Sequence, residues 1–99
     1  MPLDITEYAE LARDAMGAMI AAGKEPAVAT TQVAIGAASA QSPAFSAATQ
    51  FVRLHADAAC RIEFGVNPTA AATSRRMAAG QTEYFGVVPG QRVAVITTT

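Results

Sequence analysis

His55 is the single histidine of the chain and stands five residues before Cys60, its single cysteine. A thiol nucleophile needs a base held beside it. In a strand, a spacing of five puts the two side chains on opposite faces. The pattern therefore favours an exposed or interface His55 and a Cys60 that acts as a small core hydrophobe. Asp57 and Glu63 lie close by in sequence, and acid–base work would require a pocket to hold both; solvated charges on strand faces are the expectation. One His and one Cys fall short of the three or four ligands of a zinc site. The glycines at 65, 80, 86 and 90 lack the spacing of a phosphate-binding loop and stand where turns are expected. Arg75 and Arg76 form the densest basic pair, suited either to acidic groups on another subunit or to keeping a segment soluble. Tyr84 and Phe85 face opposite ways if they lie in a strand, one in the core and the other exposed or covered by a partner. No catalytic residue, cofactor-binding residue or metal ligand is assigned, and an enzyme is not expected.

These residues must be positioned by a small body. Ninety-nine residues make one domain over 1–99, close to the size where burial only just outweighs chain entropy. The apolar fraction is 52%, but 24 of those 51 residues are Ala, so the larger side chains available to a core are few. Partner subunits are expected to share the burial. Charged residues make up only 15% and the net charge is -1, against the usual figure of about 25% charged. That balance argues against nucleic acid and anionic membrane as partners. The longest run of apolar and Gly residues, Ala15 to Gly23, is much shorter than the roughly 20 residues of a transmembrane helix. The acidic start, with Asp4 and Glu7, does not read as a secretory leader, and a lone cysteine gives no intrachain disulfide.

Alternation is clearest in the second half. Val52, Leu54 and Ala56 share one face of a strand over Phe51 to Ala56, and Cys60, Ile62 and Phe64 share one face of the next. Gly65-Val66-Asn67-Pro68 then supplies a turn. Val88-Pro89-Gly90-Gln91 matches a type II turn, which predicts an antiparallel hairpin of Tyr84 to Val88 with Arg92 to Thr97. Val28 to Ile35 reads as a strand. Gly36 to Gln50 reads as a connection anchored by Phe45, in part along a sheet edge. Thr69 to Ala79 admits a helix or a short strand, with Gly80 marking a bend. For residues 4–22, Asp4 with Glu7 forms a capping box, and Ile5, Tyr8, Leu11, Ala12, Ala15, Met16, Met19 and Ile20 follow helical spacing. Asp14-Ala15-Met16-Gly17 also fits a turn between Tyr8 to Arg13 and Ala18 to Ala21. Local pattern favours the helix.

The blocks Phe51 to Leu54, Ile62 to Ala70, Ala79 to Gly90 and Val93 to Ile96, and more weakly Glu25 to Thr30 and Ser39 to Phe45, resemble small phage and prophage proteins that sit among virion structural genes. The resemblance implies a strand, an Asp-x-x-Gly turn and a second strand in the first quarter. It also implies an all-β fold: a compact antiparallel β-sandwich or jelly-roll-like barrel of about seven or eight short strands. An α+β fold with an N-terminal helix at 4–22 is the alternative. The function it implies is that of a capsid decoration, or cement, protein located in the virion and assembled in the bacterial host cytoplasm. Its partner would be the major capsid protein or another virion protein, and the chain would act as a homo-oligomer, with a trimer favoured. A head-tail connector or tail component, or a small ligand-binding β module, are the alternatives; the lack of Trp weighs against the last.

Overall fold

The computed structural model describes residues 1–98, with the side chain of Ala21 left aside, and the chain is all-β. The strands are β1 (Pro2–Tyr8), β2 (Leu11–Arg13), β3 (Met19–Gly23), β4 (Ala29–Ala34), β5 (Ala40–Gln41), β6 (Phe51–Ala56), β7 (Cys60–Gly65), β8 (Arg75–Met77), β9 (Thr82–Gly86) and β10 (Arg92–Thr97). Two four-stranded antiparallel sheets, β4-β1-β6-β9 and β5-β10-β7-β8, form a β-sandwich, and β2 pairs with β3 in a separate hairpin.

Period-two alternation builds the core. The first sheet turns Leu3, Ile5, Val33, Val52, Leu54 and Ala56 inward, and the second contributes Cys60, Ile62, Met77, Val93 and Val95. Phe45 closes one end of the sandwich from the connection between β5 and β6. Its ring centroid lies 6.5 Å from that of Phe64, which is 5.2 Å from Phe85. Glu7 also faces inward and is buried. Its carboxylate accepts hydrogen bonds from the Ser46 amide at 2.9 Å and the Thr49 hydroxyl at 2.6 Å, which ties the connection to β1. Such partners make burial of a charge tolerable.

The segment between β7 and β8 crosses the outer side of the second sheet. Gln41 Nε2 donates to Asn67 Oδ1 and to the Pro68 carbonyl, both at 2.8 Å, and the Ala70 amide donates to Ser39 Oγ at 2.9 Å. Pro68 and Ala70 are buried there.

Residues 4–22 are strand, turn and strand, so the helical alternative is overturned. Thr69 to Ala79 holds the short strand β8 and turns, not a helix. The type II turn is present, with Gly90 at φ +86° and the Gln91 amide donating to the Val88 carbonyl at 3.2 Å. The hairpin predicted around it is not: β9 pairs with β6 in one sheet and β10 with β7 in the other. The turn is a bridge between sheets because Phe45 holds it on both sides. The Phe45 amide donates to the Gln91 carbonyl at 2.8 Å, and the Gly90 amide donates to the Phe45 carbonyl at 3.0 Å. Ten strands are present among the described residues, against the seven or eight expected.

Candidate functional site

The hairpin β2–β3 is the feature that the sandwich does not need for its own core. It leaves the end of β1 and returns to β4, and its strands pair only with each other. The turn at its tip is built by Asp14, whose Oδ1 accepts the Met16 amide at 2.8 Å and the Ala18 amide at 3.0 Å. Gly17 takes φ +84°, a conformation that side chains disfavour. Arg13 donates to the Gly17 carbonyl at 2.9 Å.

The root is fixed as firmly as the tip. The Tyr8 ring stacks on Phe51 at 5.2 Å and lies so close to Gly23 that a Cβ there would come within 2.4 Å of it. Tyr8 donates its hydroxyl proton to Glu25 at 2.7 Å; that bond, aided by burial and the nearby negative charge, raises the phenol's pKa above its ordinary value. Lys24 and Glu10 form an exposed ion pair at 3.0 Å, and this hydrogen bond and charge hold the Glu10 carboxyl below its ordinary range.

Beside the charged Arg13, Asp14 and the Lys24–Glu10 pair, the hairpin exposes three large apolar side chains. Met16 is 91% exposed, Met19 61% and Ile20 44%. Flexible, polarisable Met side chains fit irregular partner surfaces, and Met19 and Ile20, adjacent in β3, present apolar side chains on both faces of the hairpin. The molecule measures 47 × 26 × 19 Å, elongated for a domain of this size. Sequence reasoning weighed a helix against a strand, turn and strand over this stretch and did not assign Met16, Met19 and Ile20 to an exposed surface. The Asp14…Gly17 turn that the sequence offered is the one the hairpin uses, and it turns an apolar stretch back on itself.

The residues singled out for chemistry are not assembled into one site. His55 points outward from β6, while Cys60 is fully buried in β7 of the other sheet. Burial pushes the Cys60 thiol above its ordinary pKa. His55 Nδ1 lies 2.7 Å from the Thr82 hydroxyl, and Nε2 is 3.6 Å from Asp57, a partly exposed row across β6 and β9. Glu63 accepts the Ser74 hydroxyl at 3.0 Å, so the two carboxylates have separate partners. The Arg75 guanidinium sits 5.2 Å from the Phe85 ring centroid, which gives it a place within the molecule; Arg76 is exposed. Phe85 packs against the core, and Tyr84 is 56% exposed with its ring 6.3 Å from Phe51. A shallow depression of about 530 Å³ over β4, β1 and β6 is lined mainly by Asp4, Thr6, Thr30, Gln32 and Arg53. Among the described residues, no group of three or more His, Cys, Asp or Glu is placed to hold a metal ion, and no helix is long and apolar enough to cross a membrane. Comparison with protein-family models, with curated proteins and with solved structures gives no match for the chain.

Proposed function

We propose that this chain is a structural protein of a bacteriophage particle, a decoration protein that binds the assembled capsid and stabilises it through protein–protein contacts. The observation that carries the reading is the projecting hairpin with Met16, Met19 and Ile20 exposed on a firmly anchored root. A preformed arm presents apolar area without the ordering cost that a flexible segment has on binding. Seated between capsid subunits, it buries that area and adds contacts the shell lacks, so the shell better resists the pressure of packaged DNA. The virion assignment itself comes from the sequence resemblance, and the partner is the major capsid protein.

The test uses capsids of the encoding phage prepared without this chain. The purified protein is expected to cosediment with them and to raise the temperature at which they break. A variant with Met16, Met19 and Ile20 all changed to Ser is expected to stay folded and to lose at least about tenfold in affinity, some 1.4 kcal/mol. Binding that ignores this change counts against the arm.

One observation favours a second reading. Tyr8, Phe51 and Tyr84 form an aromatic row on the outer face of the first sheet, ending in the exposed Tyr84, a surface on which a sugar ring can stack. Saturable glycan binding abolished by Tyr84→Ala would place the chain among ligand-binding β modules.

A further inference from the structure

The two sheets have four outer edges, and they differ in how they are protected. β5 is two residues long, and β8 is three residues long with two arginines. β9 carries Glu83. β4, Ala-Thr-Thr-Gln-Val-Ala, has six residues and neither a charge nor a proline. Short strands, charges and prolines are the devices that keep sheet edges from pairing, and β4 has none of them.

The backbone of β4 defines what can be added. The Ile35 amide donates to the Met1 carbonyl, and β4 runs antiparallel to β1 with Ala34 opposite Pro2 and Val33 opposite Leu3. Alternation then directs the N–H and C=O groups of Ala29, Thr31 and Val33 to β1, leaving those of Thr30, Gln32 and Ala34 aimed out of the sheet. Val33 faces the core and Gln32 faces outward.

We propose that β4 pairs antiparallel with β4 of a second copy of this chain, about a two-fold axis through Gln32, joining the two first sheets into one continuous sheet. In this register Gln32 meets Gln32 and Thr30 meets Ala34, so all three outward-facing residues of each strand exchange hydrogen bonds. On the core side Thr31 meets Val33 and Ala29 meets Ile35, which continues each sandwich's inner face into the other. Shifting by one residue would turn inward side chains to the outer face, and centring the axis on Thr31 would use fewer of the outward groups. A two-fold sets a strand against its own residues. That selects a second copy for β4, where no like charges meet, and disqualifies β8, where Arg75 and Arg76 would face arginines. The association is two-fold, unlike the three-fold one that the resemblance implies, and it stands independently of the virion reading.

The test is sedimentation equilibrium of the full chain and two variants. The wild-type protein is expected to form a reversible dimer. Gln32→Pro removes an N–H that faces solvent in the monomer, where an edge strand tolerates it, but costs the dimer two reciprocal hydrogen bonds; its dimer should dissociate at least about tenfold more readily. Gln32→Cys places two thiols across a hydrogen-bonded pair, about 5.5 Å between Cα atoms, within disulfide reach. Mild oxidation should convert it to a covalent dimer, whereas Thr82→Cys, on the opposite edge, should not cross-link. A wild-type chain that stays monomeric up to about 1 mM, a trimer, or a dimer in which Gln32→Cys fails to cross-link overturns the proposal.

Discussion

Glu7 ties the connection between β5 and β6 to the first sheet. It faces inward from β1 and holds Ser46 and Thr49 through one carboxylate oxygen. Glu7→Ala leaves a buried hydroxyl and a backbone amide without an acceptor, and should cost about 2–4 kcal/mol in chemical denaturation, while Glu7→Gln, which keeps an oxygen, should cost less. The same residue explains why β1 was illegible in the sequence. Leu3 and Ile5 alternate as a strand should, but a carboxylate takes the third inward position, and its partners lie about forty residues away where no local pattern can show them. Cys60 was legible as a core residue, and its burial leads to a chemical expectation: the thiol should resist alkylation in the native protein and react once the chain unfolds. At the arm's root, Lys24 holds the Glu10 carboxyl below its ordinary range. A carboxyl whose folded pKa is depressed adds stability above its unfolded pKa and loses that contribution as the pH falls through the folded value. The Glu10 carboxyl resonance followed by NMR should therefore titrate at a higher pH in Lys24→Met than in the wild type.

Elements were readable where one face is buried and the other wet. β6 and β7 alternate in that way, and of the expected inward sets Val52, Leu54, Ala56, Cys60 and Ile62 are buried while Phe64 is partly buried against the core. The turns at Asp14 and Val88 were readable too, because positive-φ glycines and Asx chemistry act within four residues. What such a turn cannot announce is which strand its flanks will pair with. Val88 to Gln91 reverses the chain, yet Phe45 grips it and sends β9 and β10 into different sheets. Helical spacing over 4–22 misled for a related reason: Ala-rich sequence fits either period, and the pairing partners of β1 are distant strands. The arm's own geometry is open to test at Gly23. Adding a Cβ drives it into the Tyr8 ring, so Gly23→Ala should lower stability by about 1–3 kcal/mol and loosen the hairpin from the sandwich, visible as faster amide exchange over Leu11 to Ala22.

At the scale of the whole molecule, a thin core and low charge led to the expectation of burial shared with neighbours. The two proposals place that burial at the arm β2–β3 and at the unprotected edge β4, which follow one another in the chain. Neither was assigned from the sequence, since exposure is a property of the folded surface and not of a residue run. The virion reading makes the arm the capsid-binding element, and cryo-microscopy of the phage particle that encodes this chain tests it most directly. The account predicts a small β-sandwich on the outside of the shell, with the hairpin carrying Met16, Met19 and Ile20 seated between capsid subunits. Purified particles that lack this chain would contradict it.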